Sequence, residues 1–156
     1  MITNRLFQDI EVAVTRTVHQ NYRMWWSRID IDHETATYDK NYRKELQSKL
    51  SKMSGKGLYI YEFEDPITKE VKTLYVGKSK ELPARLFNHY KERHRQTGHP
   101  KWRDFWSSYP HKMTVYVQDV GHEDDKLLDE ACRIISERYF IVKLNPISEL
   151  TYKSVK

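Results

Sequence analysis

Five side chains between positions 59 and 137 are of types that could act together on an anionic substrate. Arg85 lies ten residues after Tyr75, and His89 follows one helical turn later on the same helix face. A guanidinium group binds the oxygens of an anion as a planar, permanently charged fork. The carboxylate of Glu137 is a hard oxygen donor of the type that Mg²⁺ or Mn²⁺ prefers. Tyr59, Tyr75 and His89 carry groups that donate hydrogen bonds or transfer protons, so the set has the residue types that hydrolysis of a phosphate ester requires.

Each of these residues also has a purely structural interpretation. Tyr59 and Tyr75 could be aromatic packing between strands. Arg85 and His89 could belong to a solvated helix face. The glycines that flank both tyrosines favour a functional interpretation of the pair. The spacing from Tyr75 to Arg85 and His89, rather than any single residue, therefore carries the catalytic hypothesis.

The segments around the two tyrosines predict a β-hairpin followed by a helix. Residues 57–64 and 71–78 are rich in aromatic and β-branched residues, as strands are, and residues 65–69 between them include turn formers. Pro83 is tolerated only in the first turn of a helix, so the helix begins shortly before it. Ser79 is then placed to cap this helix. This helix carries Arg85 and His89 at adjacent turns.

The rest of the C-terminal half predicts two more helices and a strand. Residues 101–109 suggest a short helix, residues 113–120 alternate like a strand, and residues 123–144 have the apolar spacing of a long helix that Pro146 ends. The order β-β-α-α-β-α predicts an α+β fold, with a small antiparallel three-stranded sheet flanked by helices.

The N-terminal third predicts a separate helical extension. Residues 3–28 have apolar residues at helical spacing, and a second helix is expected from about Asp39. Residues 29–38, between these helices, lack a helix period and are interpreted as a loop or a short extended piece. The predicted domain boundaries are 1–54 for this extension and 55–156 for the domain that carries the candidate site.

The positive charge of the chain is concentrated in one segment. The net charge is +5 and the pI is near 9.2, and residues 78–112 alone contain nine Lys or Arg against three Asp or Glu. Such a segment is typical of a polyanion site or of a solvated helix face. The tryptophans interleaved with it, Trp102 and Trp106, could stack on bases or belong to the core. The basic residues expected to contact nucleic acid are Lys80, Lys91, Arg93, Arg95, Lys101 and Arg103.

Composition bounds the setting of the protein. Cys132 is the only cysteine, so neither a disulfide nor a cysteine-based zinc site can form within one chain. No apolar run is long enough to span a membrane, and no secretory signal is recognisable. We therefore expect a cytoplasmic protein that does not interact with membranes.

Three segments of the chain together resemble the GIY-YIG nuclease family. They are GLY (57–59), YVGKSKELPARLFNH (75–89) and ERYFIVKLNP (137–146). The stretch around Gly77 is similar to the incision subunit of bacterial nucleotide excision repair and to several restriction and homing endonucleases. The resemblance makes 55–156 the nuclease domain and leaves the first 54 residues outside it.

The resemblance implies a metal-dependent endonuclease that hydrolyses phosphodiester bonds in duplex or structured DNA, as a monomer or homodimer. It implies Mg²⁺ (or Mn²⁺) as the cofactor, bound by Glu137. Tyr59 is the family's candidate for removing the proton of the attacking water. Because a free phenol has a pKa of about 10, it would need help from Lys78, His89 or a metal-bound water. The residues that the resemblance assigns to catalysis are Tyr59, Tyr75, Lys78, Arg85, His89 and Glu137.

The family pattern selects one of two glutamates on the long helix. Glu130 and Glu137 are seven residues apart and project from nearly the same helix face. The spacing Glu-x-x-x-Ile-x-x-x-x-Pro fits Glu137, through Ile141 and Pro146, and does not fit Glu130. The family usually has asparagine three residues after this proline, whereas this chain has Glu149, which puts the local geometry there in question.

The competing hypothesis is a catalytically inactive nucleic-acid-binding module on the same fold. Such a module would share the basic segment without requiring Tyr59, Arg85 and Glu137 to converge. A nuclease that prefers structured or single-stranded substrates is a third possibility that the sequence does not separate from the first. The N-terminal helices would form a dimer interface, or would wrap the core and contact DNA.

Overall fold

An antiparallel sheet of four strands forms the centre of the described part of the protein. The computed structural model describes residues 4–53, 55–94, 100–120 and 125–147, without the side chains of residues 4, 37, 91–94 and 100–103. The strands are β1 (Ser27–Asp32), β2 (Gly57–Glu64), β3 (Val71–Ser79) and β4 (Lys112–Asp119), and they lie in the order β1-β4-β2-β3.

Seven helices accompany the sheet in these ranges, and the predicted α+β class is confirmed. None of the described helices is both long and apolar enough to cross a membrane. The helices are α1 (Asn4–Val18), α2 (Tyr22–Trp25), α3 (His33–Tyr38), α4 (Lys40–Ser51), α5 (Leu82–His94), α6 (Pro100–Ser107) and α7 (Lys126–Leu144).

Hydrophobic side chains are buried on both faces of the sheet. On one face, Leu58 and Ile60 of β2 belong to a cluster with residues of α1, α2 and α7. On the other face, Tyr59 and Tyr61 belong to a cluster with residues of α4, α5 and α6. Because successive side chains of a strand point to opposite faces, β2 is buried on both sides. The candidate residue Tyr59 therefore lies on a central, rigidly held strand.

The expectation of a three-stranded sheet is wrong, because residues 27–32 add a fourth strand. This segment was expected to be the end of a helix followed by a loop or a short extended piece, and the extended alternative is the one that fits residues 29–32. It forms β1, which pairs with β4 from Ser27 opposite Val117 to Asp32 opposite Lys112. Its side chains alternate between the core and the surface, and Ile29 and Ile31 are buried. The period of two in IDID is the strand signal, although it is too short to stand out in the sequence.

The single helix expected over residues 3–28 is also wrong. It divides into α1 and α2, because Asn21 has the extended backbone of a residue between helices. A further short helix, α3, lies within the expected loop, and the side chain of Asp32 caps it by accepting from the N–H groups of Glu34 and Thr35. The helix expected from Asp39 is confirmed as α4, with Asp39 itself as the cap.

The N-terminal segment is in close contact with the rest of the fold. Besides the pairing of β1 with β4, helix α1 packs along α7. The proposed boundary at residue 54 stays a prediction, because a domain division is a statement about independent folding. The contacts nevertheless attach residues 4–32 to both the sheet and the helix that carries Glu137.

The hairpin of β2 and β3 contains a bulge next to the candidate site. Tyr61 pairs with Tyr75 and the next residue, Glu62, pairs with Thr73, so Leu74 is an extra residue in β3. Leu74 is fully buried in the cluster beneath α5, and Tyr75 packs against the same cluster. A bulge of this kind re-aims side chains locally. Here it lets two consecutive residues face the helix that carries Arg85.

Helix α7 is defined at both ends. The carboxylate of Asp125 accepts from the N–H groups of Leu127 and Leu128 at its start. At its end Asn145 adopts a left-handed backbone with φ of 46° and donates its N–H to Ile141. Asparagine tolerates this conformation better than most residues. The asparagine before Pro146 thus has a structural role as the residue that ends the helix.

Candidate active site

Five of the six residues predicted to be catalytic line one cleft at the β3 edge of the sheet, and the sixth, His89, lies directly behind it. The cleft has a volume of about 330 Å³. Strands β2 and β3, the first turn of α5 and the middle of α7 contribute its walls. Its lining residues are Tyr59, Tyr75, Lys78, Ser79, Lys80, Glu81, Arg85 and Glu137.

The glycines beside the tyrosines are required by close packing. Gly77 in β3 pairs with Tyr59 in β2, and a Cβ atom on Gly77 would overlap the ring and hydroxyl of Tyr59. A Cβ atom on Gly57 would overlap the backbone carbonyl of Gln118 in β4. Only glycine leaves room at these positions. Gly77 therefore allows the Tyr59 side chain to lie across β3 and reach the cleft.

Tyr59 and His89 form a buried pair. The Tyr59 hydroxyl oxygen lies 2.9 Å from His89 Nε2, and the two residues are 1% and 3% exposed. Trp106 packs against His89 with ring centroids 5.0 Å apart, which restrains the imidazole from behind. Trp106 is itself 1% exposed, so the core interpretation of this tryptophan is confirmed. The contact joins residues that are thirty positions apart in the chain.

The environment of Tyr59 favours the neutral phenol. Burial raises the pKa of Tyr59 well above its ordinary value, and the nearby Tyr75 raises it further. The positive charge of Arg85 acts in the opposite direction but is the smaller effect. The rings of Tyr59 and Tyr75 are 5.8 Å apart. Tyr59 is consequently protonated at neutral pH and would lose its proton only in a concerted step or when additional positive charge enters the cleft.

Glu137 provides a carboxylate that forms no ion pair of 4 Å or less with another described residue. It accepts a hydrogen bond from the backbone N–H of Lys78 in β3. Burial raises the pKa of Glu137, and the charges of Lys78 and Arg138 together with the backbone hydrogen bond only partly oppose this effect. A partly buried carboxylate without an ion-pair partner has a strong tendency to acquire a cation or a proton. Glu137 is therefore suited to binding a metal ion.

The donor set fits one hard divalent cation. The described residues include no group of three or more His, Cys, Asp or Glu side chains that could enclose a metal ion. Magnesium is commonly held by one or two carboxylates, with water and substrate phosphate as the other ligands. Glu137 alone would supply the protein ligand, so the residues present are consistent with Mg²⁺ or Mn²⁺ that binds largely through water and substrate.

Arg85 is presented to the cleft by the first turns of α5. Leu82 and Leu86 in the same turns of the helix are buried, whereas Arg85 is exposed. The backbone N–H of Leu82 donates to the carbonyl of Gly55 over 2.8 Å, which attaches the start of α5 to the chain before β2. No carboxylate of a described residue forms an ion pair with Arg85, so its guanidinium group remains available to an anion.

The two glutamates of α7 have different environments. Glu130 forms an ion pair of 2.6 Å with Lys80, and the two side chains are 50% and 63% exposed. Lys80 lines the cleft but Glu130 does not. The choice of Glu137 over Glu130 from the family spacing therefore agrees with the position of the cleft.

Several predicted DNA contacts fall on residues whose side chains the structure does not describe. Lys91 and Arg93 belong to α5, and Lys101 and Arg103 belong to α6, with only their backbone described. Arg95 and the departure at Glu149 lie outside the described residues, and the side chain of Trp102 does too. These contacts stay predictions. Lys80 is the member of the set whose side chain lies at the cleft.

Two cleft residues were not predicted as part of the site. Ser79 and Glu81 line it beside Arg85, and the Ser79 hydroxyl accepts a hydrogen bond from the Glu81 N–H over 2.8 Å. Ser79 was expected only to cap the following helix. For Glu81, the available signal was its position one helical turn before Arg85; it directly precedes α5, and its carbonyl accepts from the Arg85 N–H over 3.0 Å.

Comparison with known proteins gives no independent assignment: no family model, no curated protein and no solved structure matches this chain. The GIY-YIG resemblance accordingly rests on the motifs quoted above.

Proposed function

We propose that this protein is a metal-dependent endonuclease that hydrolyses phosphodiester bonds in DNA by GIY-YIG-type chemistry. The observation that carries the proposal is that Tyr59, Arg85 and Glu137, which come from β2, α5 and α7, line the same cleft. A binding surface alone would not require a buried phenol to meet a guanidinium and a carboxylate that form no ion pair with the described residues. A hydrolase of phosphate esters uses all three.

Arg85 and Lys78 would receive the scissile phosphate. Both line the cleft, and their charges offset the negative charge of the non-bridging phosphate oxygens. The planar guanidinium of Arg85 can contact two oxygens at once, whereas Lys78 acts as a point charge. Tyr75, at the same wall, donates a hydrogen bond to the phosphate or to the attacking water. Together these groups orient the phosphorus for attack.

Tyr59 and His89 would remove the proton of the attacking water. The neutral Tyr59 accepts a hydrogen bond from the water through its hydroxyl oxygen. As the water attacks phosphorus and loses a proton to Tyr59, the phenolic proton passes to Nε2 of His89, 2.9 Å away. Tyr59 thus remains neutral overall, which is consistent with the raised pKa of its buried phenol. The transfer needs His89 in the tautomer with Nε2 unprotonated.

Glu137 would hold the divalent metal ion. When bound, the ion offsets the negative charge that develops on the leaving oxygen. The hydrogen bond from the Lys78 backbone fixes the carboxylate at the cleft wall. The same carboxylate orients water molecules within the cleft through its second oxygen.

Cleavage of supercoiled plasmid in the presence of Mg²⁺ or Mn²⁺ tests the proposal. We expect nicked or linear product with the wild type, none with EDTA, and a loss of rate of roughly 10³-fold with Glu137→Ala. Glu130→Ala is the matched control, because it removes a carboxylate seven residues away on the same helix but outside the cleft.

Two results would contradict the proposal. One is the absence of cleavage of both plasmid and branched DNA by the folded wild type, which would leave the inactive binding module as the better hypothesis. The other is equal cleavage by Glu137→Ala and the wild type, which would assign the activity to another site or to a contaminating nuclease.

A further inference from the structure

A second basic concavity lies between α4 and the β1–β4 edge of the sheet. This groove has a volume of about 380 Å³, and its charged lining consists of Arg28, Lys49, Lys52 and Asp119. We propose that this groove binds backbone phosphates of a DNA duplex whose scissile phosphate lies in the cleft. The groove would contact the duplex several base pairs from the scissile bond. The identity of the polyanion as DNA rests on the proposed function.

The register of the sheet connects the groove to the cleft. Gly57 in β2 pairs with Ser79 of β3 on one side and with Asp119 of β4 on the other. Ser79 lines the cleft and Asp119 lines the groove. Because neighbouring strands are about 4.8 Å apart, the two backbones are separated by about 10 Å. Both concavities therefore open at the same end of the sheet.

This separation suits a duplex that crosses both sites. Double-stranded DNA carries one phosphate charge for about every 1.7 Å along its axis. A duplex with one phosphate in the cleft consequently has further phosphates within reach of the groove. Met53 lines the groove, and two residues later the carbonyl of Gly55 accepts a hydrogen bond from the backbone N–H of Leu82 at the start of α5. This hydrogen bond connects the segment that follows the groove to the helix that begins at the cleft.

The lysines of the groove are less neutralised than the basic residues closer to the cleft. Lys80 and Lys56 form ion pairs with Glu130 and Asp129. Lys49 and Lys52 are exposed and form no ion pair with the other described residues. They are three residues apart, Lys49 in the last turn of α4 and Lys52 at its C-cap, where the backbone is still right-handed helical, so they project from neighbouring positions.

The positive charge of Arg28 is partly neutralised within the fold, unlike that of these two lysines. Its guanidinium forms an ion pair of 3.0 Å with Asp30. Asp119 is the one carboxylate among the described residues of the lining. The positive potential of the groove accordingly comes mainly from Lys49 and Lys52.

Equilibrium binding to a short DNA duplex in EDTA, with salt varied, tests the inference without cleavage. The double variant Lys49→Gln/Lys52→Gln removes two proposed phosphate contacts. It should reduce the magnitude of the slope of log K against log salt by about 2 and weaken binding roughly tenfold near 0.1 M salt. The control is Lys40→Gln/Lys44→Gln, which removes the same charge from the same helix at exposed positions that do not line the groove. Thermal unfolding confirms that both variants are folded.

The outcomes separate this inference from the proposed nuclease. A weaker, less salt-dependent complex for the groove variant, with the control equal to wild type, supports the groove whether or not plasmid is cut. Equal slopes for both variants and the wild type overturn it, and plasmid cleavage then decides the nuclease independently. A wild type that binds no duplex overturns it as well. Equal losses in both variants would also overturn it, because they indicate a general effect of net charge.

Discussion

Two sets of tyrosine, arginine and glutamate in this molecule differ in what their carboxylates already bind. In the first set, Glu62 of β2 is 3% exposed. Its carboxylate accepts a short hydrogen bond from the Tyr22 hydroxyl and bonds from Arg23 Nε and Nη2 at 3.0 and 2.9 Å. Every strong interaction that this carboxylate needs is made within the fold. We call these three residues the structural set.

In the cleft, the same residue types are arranged so that they remain available. Glu137 accepts a backbone hydrogen bond and has no ion-pair partner among the described residues, and Arg85 likewise forms no ion pair there. Tyr59 contacts His89 rather than a carboxylate. Residue types alone therefore do not identify a catalytic group. A better criterion is whether the charged groups face each other or face an open volume.

The pKa of the tyrosine is raised in both sets for partly different reasons. For Tyr22, burial is the largest cause and the hydrogen bond to Glu62 adds to it. For Tyr59, burial again dominates and Tyr75 adds to it, while Arg85 opposes. A raised pKa of a tyrosine is thus shared by a structural position and a candidate catalytic position. It gains functional meaning at Tyr59 because of the adjacent cleft and imidazole.

The largest expected difference between the two sets is in the rate of cleavage. We expect Tyr59→Phe to lower the rate of plasmid cleavage roughly 10³-fold, because it removes the group proposed to accept the proton of water. Tyr22→Phe should leave that rate unchanged, since Tyr22 contacts Glu62 and not the cleft. Single-turnover cleavage with saturating enzyme measures both. A Tyr59→Phe variant as active as Tyr22→Phe would remove Tyr59 from the mechanism.

The second expected difference is in the free energy of unfolding. Glu62→Gln should lower it by about 2 kcal/mol, because the substitution removes the negative charge that strengthens the bonds from Tyr22 and Arg23 and replaces one of the two acceptor oxygens with a donor. The value lies below that for a fully buried pair because the Arg23 side chain is 52% exposed. Glu137→Gln should be as stable as the wild type or slightly more stable. Denaturation with urea in EDTA gives both values.

The opposite ranking would contradict the comparison. If Glu137→Gln unfolds more readily than Glu62→Gln, then Glu137 is a structural residue, and loss of cleavage in its variants would have to be attributed to a damaged fold. Far-ultraviolet circular dichroism of both variants before denaturation separates a local effect from a changed fold.

The elements around the cleft could be predicted because their signals are local. Residues 57–64, 71–78 and 113–120 were expected as strands and form β2, β3 and β4 to within one residue. The spacing that identifies Tyr75, Arg85 and His89 as a group lies within fifteen consecutive residues. A strand and the start of the following helix position these residues, so their relative placement depends little on distant parts of the chain.

The features that could not be predicted depend on distant contacts. Strand β1 has only Ile29 and Ile31 as buried apolar residues, and its partner Val117 is ninety positions from Ser27. The burial of Glu62 follows from residues forty positions earlier in the chain. The sequence pattern predicts that a glutamate within a strand is exposed, unless the side chains that bind its carboxylate are known. The bulge at Leu74 likewise leaves no local signature.

The smallest expected effect is the contribution of Glu137 to the pH dependence of the free energy of unfolding. Because burial raises its pKa in the folded protein, the folded state binds a proton at Glu137 more tightly than the unfolded state does. The stabilisation is complete below the unfolded-state pKa of about 4.3 and is lost as the pH rises through the higher folded-state pKa. Glu137→Gln does not titrate. The stability of this variant minus that of the wild type should therefore increase across this range.

Urea denaturation in EDTA at a series of pH values from acid to neutral measures this difference. Added Mg²⁺ should reduce it at neutral pH, because an ion bound by the carboxylate stabilises the folded wild type and has no such site in the variant. Glu130→Gln provides the control: the hydrogen bond and charge of Lys80 lower the pKa of Glu130, so the corresponding difference for that variant should fall, rather than rise, with pH. A difference between Glu137→Gln and the wild type that is independent of pH would mean that the Glu137 carboxylate is already neutralised within the fold. The contrast between the two carboxylates would then be lost.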